Sequence, residues 1–256
     1  MSKEIAVTKT QELVSFDTSL AADLDPADFA DLTVGDLDRI EVKNGAYVLR
    51  GDTGQEERTQ EFNGVIVHGH NASVLWLTDD DDDSSPAAYS NDGLTQVVTE
   101  EGRKQAKELG LPVPLADLSD CPYNEWGSVE LLGKQGRGKA NKNMRRLYIW
   151  REGLVLPEIL NVSPTGLREE RNYRIKGASR FGGYSKVVTH FTLEAQKAGK
   201  QEWSIPGYSV AGKLDPATQA QADMYRHLVE QIGSTPKPPV VAEATVVTEE
   251  SEEFPF

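Results

Sequence analysis

Strand-like alternation of apolar and polar residues runs through the chain from Ile40 onward. The run 187–193 gives the clearest example, because its β-branched and apolar residues fall on every second position. Such runs, bounded by turns that contain Gly or Asn, are typical of strands. The predicted strands cover residues 46–50, 62–68, 73–77, 144–150, 173–176, 187–193 and 201–208. The pattern predicts a mainly β fold of the β-rich α+β class, with a sheet of five or more strands.

Two segments carry helix signals instead. Thr99 can cap a short helix over residues 100–109, whose first turn is acidic. Asp215 followed by Pro216 is an N-cap with a proline in the first turn, and apolar residues then recur at helical spacing. We therefore predict a C-terminal helix over residues 214–233 that closes the domain.

The two ends of the chain differ in composition from its middle. Residues 1–39, rich in Asp and Ala, predict an acidic N-terminal arm. Residues 40–213 contain the strands and form the expected folded domain. Residues 234–256 combine prolines with small and acidic residues, which predicts a disordered linker that ends in a short acidic tip.

Several classes of protein are disfavoured by composition. The longest apolar runs fall far short of the roughly 20 residues that a membrane-spanning helix needs, and the first residues lack the apolar core of a signal peptide. The single cysteine, Cys121, permits no intramolecular disulfide. We expect a cytoplasmic protein with no membrane partner.

The charge is unevenly distributed along the chain. The net charge of -14 argues at first against a polyanionic partner. Residues 121–213, however, carry 16 basic and 8 acidic groups, whereas the segments before and after them are acidic. Local field steers a polyanion more than total charge does, so this basic block makes nucleic acid a plausible partner.

The basic block begins with a stretch that mixes cations, aromatic residues and glycines. No acidic residue lies between Lys134 and Arg151. Bases stack on aromatic rings while Lys and Arg neutralise phosphates, a combination that suits single strands. Alternation along the predicted strand puts Arg146, Tyr148 and Trp150 on one face, the predicted stacking face. The predicted single-stranded-DNA-binding residues are Trp126, Lys134, Arg137, Lys139, Lys142, Arg145, Arg146, Tyr148 and Trp150. The alternative is that the aromatic rings are core and the cations a solvated loop.

Signals for catalysis are weaker. The segment Gly133 to Lys139 nearly matches a phosphate loop, but Ala140 replaces the hydroxyl residue that would bind magnesium. The aspartates at 79–83 favour a solvated loop over a divalent-ion site. His68 and His70 lack partners at ligand spacing and are interpreted as structural. We expect a non-enzyme with no cofactor and no metal; a magnesium-dependent nuclease or nucleotide hydrolase is the alternative.

The last residues form a separate motif. Acidic residues followed by Phe-Pro-Phe would place an aromatic ring and a carboxylate in a basic-rimmed apolar pocket of a partner. The predicted partner-binding tip is Glu252, Glu253, Phe254, Pro255 and Phe256. An ordinary disordered acidic end is the alternative.

Two parts of the chain resemble known families. The end EESEEFPF resembles the acidic tip of bacterial single-stranded DNA-binding proteins, which recruits exonucleases, helicases and recombination mediators. The segments CPYNEWGS, GRGKANKNMRRLYI and LPEILNVSPTGL resemble a bacteriophage and prophage family of single-stranded DNA-binding proteins with an OB-like sheet. The resemblance implies an OB-like barrel with extra helices, and it implies binding of single-stranded DNA.

The chain departs from that family at its cysteines. Members carry further cysteines that suggest a small zinc site, whereas Tyr89 and Asn141 stand at two such positions here and only Cys121 remains. We predict that packing or hydrogen bonding replaces the zinc.

Together these observations predict a sequence-tolerant protein that protects single-stranded DNA. Its tip would recruit replication, recombination and repair enzymes. A protein-only adaptor is a further alternative, and homo-oligomerisation stays open.

Overall fold

The computed structural model describes residues 13–17, 32–50, 55–78, 86–198 and 201–234. The predicted tip and the aspartate run at 79–83 lie outside these residues. The strands are β1 (Leu13–Val14), β2 (Arg39–Lys43), β3 (Ala46–Arg50), β4 (Glu56–Thr59), β5 (Glu61–Leu75), β6 (Ala88–Ser90), β7 (Val97–Val98), β8 (Lys142–Trp150), β9 (Glu158–Val162), β10 (Val187–Ala198) and β11 (Gln201–Leu214). The α-helices are α1 (Glu100–Glu108), α2 (Leu167–Asn172) and α3 (Pro216–Ser234). The fold is mainly β, as predicted.

All of these strands belong to one curled sheet. Its order is β1-β11-β10-β5-β8-β9-β2-β3-β4, with β6 and β7 attached to β5. Only Gln60 separates β4 from β5, so the last strand of the path runs directly into the strand at its centre. The sheet therefore curls into an open half-barrel. Several neighbours on this path are distant in the chain, and two of these pairs, β1 with β11 and β2 with β9, are parallel.

Tight turns and bends set the shape of the half-barrel. Asn44 and Gly45 have φ of 51° and 75° and join β2 to β3 by a two-residue loop. Two positive φ angles are the signature of a hairpin turn that matches strand twist. Strand β5 is one continuous strand with a bulge between Ile66 and His68, where two separate strands were predicted.

Both faces of the central strands are covered. On one face α3 packs over the sheet, with the Trp150 and Tyr225 ring centroids 5.1 Å apart. Inside the curl, Tyr47, Phe191 and Tyr173 belong to a second buried cluster. A strand covered on both faces becomes almost wholly apolar, which explains why β8 ends in four buried residues.

The two predicted helices are confirmed, including their caps. Thr99 Oγ1 accepts a hydrogen bond from Gly102 N at 2.9 Å at the start of α1. Asp215 Oδ1 accepts from Ala217 N at 2.8 Å at the start of α3. These side chains satisfy backbone donors that a helix start otherwise leaves unpaired.

Two further predictions about the fold are wrong. The predicted strand 173–176 is the helical turn Tyr173–Gly177, which continues α2. The predicted arm 1–39 is also partly integrated into the domain, because β1 pairs in parallel with β11 and Phe16 is buried against Trp150. In both cases tertiary packing outweighs local composition.

Candidate nucleic-acid interface

The start of β8 brings exposed aromatic rings and lysines together. Lys139 Nζ lies 5.9 Å from the ring centroid of Trp126, and Trp126 is 80% exposed. An exposed tryptophan of this kind has a free ring face and gains little from burial. Trp126 therefore lies on the surface, with the half-buried Lys139 beside it.

A second lysine and tryptophan meet on the neighbouring strand. Lys142 pairs across the sheet with Val74, and its Nζ lies 5.1 Å from the ring centroid of Trp76. Tyr89 of β6 also pairs with Val74, so this half-buried ring is on the same face. We call Trp76, Trp126, Lys139 and Lys142 the Lys–Trp surface.

Hydrogen bonds hold this surface in place. Asn124 Oδ1 accepts from Lys139 Nζ at 3.1 Å and from Asn143 Nδ2 at 3.5 Å. Gly127 N donates to Gly138 O at 3.1 Å and closes the loop between them. The loop thereby returns Lys139 to a position beside Trp126. Lys134 and Arg137, also within this loop, are exposed.

Arg146 lies farther along β8, on the same face as Lys142. Its Nε donates to Asn161 Oδ1 at 3.3 Å, and its Nη1 donates to Asn91 Oδ1 at 3.0 Å. Both partners are neutral, so the positive charge is not compensated by these contacts. Arg146 therefore remains available to an anion.

The prediction that Tyr148 and Trp150 stack on bases is wrong. They are 0% and 1% exposed, and they belong to the cluster beneath α3. The Trp150 Nε1 donates to Leu154 O at 3.1 Å, and the Tyr148 hydroxyl lies 3.2 Å from His70 Nε2. Alternation assigned them correctly to one face, but that face is covered at this end of the strand by the C-terminal helix.

The prediction that Arg145 holds a phosphate is also wrong. Its Nε donates to Glu170 Oε1 at 3.1 Å, and its Nη2 donates to Gly69 O at 2.8 Å. The Glu170 side chain is 3% exposed and also accepts from Arg174 Nε at 3.1 Å. A buried carboxylate needs paired cations, so Arg145 neutralises the protein's own charge.

The two histidines on β5 have structural partners. Burial lowers the pKa of His70, although the carbonyl of Asn71 opposes this effect. Burial also lowers the pKa of His68, which lies 3.6 Å from Glu230 Oε1. Burial therefore favours the neutral form of both rings. Across the described ranges, no group of three or more His, Cys, Asp or Glu side chains is placed to hold a metal ion.

The phosphate-loop motif lies in the wrong local structure. Gly133 ends a 3-10 turn with φ of 69°, and the chain then enters β8. A phosphate loop opens into a helix whose N-terminus faces the anion. This loop precedes a strand instead.

In the part of the chain that the structure describes, no helix is long and apolar enough to cross a membrane.

The remaining cysteine belongs to a buried hydrogen-bonded chain. Gln96 Nε2 donates to Cys121 Sγ at 3.2 Å, and Asn141 Nδ2 donates to Gln96 Oε1 at 3.1 Å. All three residues are buried. Gln96 thus links Cys121 to Asn141, one of the two positions where the resembled family carries cysteine.

The sequence prediction missed Trp76, Asn124 and Tyr89. Trp76 comes directly after β5, 66 positions before Lys142, and only the register of β5 against β8 brings them together. Asn124 carried a signal, since it lies within the quoted CPYNEWGS motif. No local pattern marks the cross-strand neighbours.

Comparison of the chain with protein-family models, with curated proteins and with solved structures gave no match. The resemblance to bacteriophage single-stranded DNA-binding proteins therefore stays a prediction.

Proposed function

We propose that this chain binds single-stranded DNA with little sequence preference, and that the Lys–Trp surface is the centre of its binding site. The observation that carries the proposal is the pair of lysine–tryptophan contacts, Lys139 with Trp126 and Lys142 with Trp76. Each contact places a cation beside a ring. A phosphate and its adjoining base need these two groups at neighbouring positions.

The chemistry of the surface favours single strands over duplex. A ring face stacks on any unpaired base, whereas base faces inside a duplex are already stacked. The lysines and neutral amides of this surface can hold phosphates, while its rings accept any base. Glu125 and Glu130 are exposed nearby and oppose phosphate binding. The expected affinity is therefore moderate and strongly dependent on salt.

The proposed OB-like character applies to shape alone. A curled sheet bordered by long loops is the feature that OB-folds use for oligonucleotides, and the half-barrel with its loop between Gly127 and Gly138 has both features. The proposal rests on the residues of the Lys–Trp surface and does not require that the fold be an OB-fold.

The acidic tip supports a second part of the proposal. We infer that residues 252–256 recruit replication, recombination and repair enzymes while the domain holds the strand. The support is the sequence itself, in which acidic residues precede Phe-Pro-Phe. Deletion of these residues is expected to abolish partner recruitment and to leave the folded domain intact.

Titration with labelled oligo-dT, and with the matching duplex, tests the proposal. Trp126→Ala and Trp76→Ala are each expected to weaken single-strand binding by about 1–3 kcal/mol, the range for loss of one stacked base. Arg58→Ala is the control, because Arg58 is exposed on β4, at the other end of the continuous β4–β5 run. Equal binding of single strand and duplex, or no effect of either tryptophan variant, would refute the proposal.

The same titration separates the alternatives. Magnesium-dependent cleavage or nucleotide turnover would favour a nuclease or nucleotide hydrolase. Weak binding to every oligonucleotide, with retained capture of partner proteins by the tip, would favour an adaptor.

A further inference from the structure

A groove lies where the sheet splits, away from the Lys–Trp surface. Strands β2 and β9 pair only at Arg39 with Ile159 and at Ile40 with Leu160. Beyond these pairs each strand continues separately, and the β10–β11 hairpin passes alongside, with Ser204 next to Gly45. The space between them has a volume of about 1230 Å³. We call it the hairpin groove.

The size and lining of the hairpin groove indicate its class of ligand. Small-molecule pockets occupy about 300–1,000 Å³ and are mostly apolar. This groove is larger and open, and its lining mixes polar and apolar residues. Lys43 and Glu41 of β2 form an ion pair at 2.6 Å within the lining, so Arg39 supplies the remaining cation of β2. The ring of Trp203 is 37% exposed at the hairpin. The neutral polar residues Asn161 and Ser163 also line the groove. An exposed arginine, neutral hydrogen-bonding groups and an exposed ring suit a single nucleic-acid strand.

Arg146 connects the groove to the Lys–Trp surface. It lies four residues after Lys142 on the same face of β8, about 13 Å at about 3.3 Å per residue. Its Nε donates to Asn161 Oδ1 at 3.3 Å, and Asn161 is part of the groove lining. A strand held at Lys142 can therefore pass Arg146 and enter the groove without leaving the protein surface.

We propose that the hairpin groove binds a second stretch of the same DNA strand, with Trp203 stacking on a base and Arg39 contacting a phosphate. This inference rests on the proposed function and extends it. The binding site then has two parts joined by Arg146. Short oligonucleotides occupy only the Lys–Trp surface, and longer ones occupy both parts.

Oligo-dT of about 5 and about 16 nucleotides, which span the range that one OB-type domain covers, tests this on the full chain. Trp203→Ala is expected to weaken binding of the long oligonucleotide by about 5- to 150-fold, the loss of one stacked base, and to leave the short one unchanged. Trp203→Phe keeps a ring and should retain most of the affinity. Lys142→Ala should weaken both lengths.

Ultraviolet crosslinking to the long oligonucleotide gives an independent measurement. A crosslinked peptide that contains Trp203, found with the long but not the short oligonucleotide, supports the groove. If wild type binds both lengths and Trp203→Ala weakens neither, or weakens both equally, the groove assignment is overturned while the proposed function stands. If wild type binds neither length, both fail. Binding of an acidic peptide in the groove, uncompeted by oligo-dT, also overturns the assignment.

Discussion

Replacement of Arg145 by alanine should destabilise the protein strongly without acting on a binding site. The substitution leaves the Glu170 carboxylate, whose side chain is 3% exposed, with Arg174 as its remaining cationic partner. It also removes the donors to Asn71 Oδ1 and Gly69 O. Breaking a buried ion pair from one side costs about 3–5 kcal/mol. For a chain of this size that lowers Tm by about 6–20 °C.

Thermal and urea unfolding of Arg145→Ala and Lys142→Ala measure this contrast. Lys142 is exposed, and its removal should change stability by less than about 0.5 kcal/mol. A double variant, Arg145→Met with Glu170→Leu, should recover much of the loss, since an apolar pair can replace a buried ion pair at little cost. If Arg145→Ala unfolds like Lys142→Ala but loses oligonucleotide affinity, Arg145 is a phosphate ligand after all and the reasoning is refuted.

Three other changes test separate parts of the account. Gln96→Ala breaks the buried hydrogen-bonded chain between Cys121 and Asn141. It should lower the free energy of unfolding by about 1–3 kcal/mol per unsatisfied group. Urea unfolding measures this, and an unchanged free energy of unfolding would contradict it. Trp150→Ala should cost about 3–5 kcal/mol as a core truncation, and the folded fraction should still bind oligo-dT normally in titration. The pKa values of His68 and His70 are lowered in the folded state. As pH falls through about 6.5, the unfolded chain therefore binds protons more strongly than the folded chain, and the free energy of unfolding decreases. Tm measured from pH 7 to 5.5 should fall in wild type and fall less in a His68→Gln, His70→Gln variant.

Signals confined to a few neighbouring residues were predicted well. The caps Thr99 and Asp215 act on backbone donors two or three positions away, so the local sequence contains all the necessary information. Strand 46–50 was predicted with its bounds, because alternation is also a local property. These elements needed no knowledge of the rest of the fold.

Features that depend on distant contacts were predicted poorly. Gly69 falls between the two predicted strands 62–68 and 73–77, yet it lies inside β5, where a β-carbon would come within 2.9 Å of Leu147 Cδ2. The glycine serves close packing against β8 rather than a bend. Similarly, the residues 173–176 have strand-like composition, but Tyr173 is buried in a helical turn and its hydroxyl lies 2.7 Å from Thr189 Oγ1.

The residues of the candidate site show the same difference between local signals and distant contacts. Trp126 and Lys139 are 13 positions apart in a loop that closes on itself, and both were predicted. Tyr148 and Trp150 were misassigned because alternation gives the face of a strand and not what covers it. That cover is α3, which begins 66 residues after Trp150. Sequence spacing cannot show which part of a face a later helix will bury.

The salt dependence of oligo-dT binding tests the central claim most directly. A double variant, Lys139→Ala with Lys142→Ala, should be compared with wild type across several salt concentrations. Each phosphate contact on a single strand contributes about 0.7 to the log–log slope, so the double variant should lose about 1.4 from its magnitude. A slope equal to that of wild type, with unchanged affinity, would show that the Lys–Trp surface does not hold the strand.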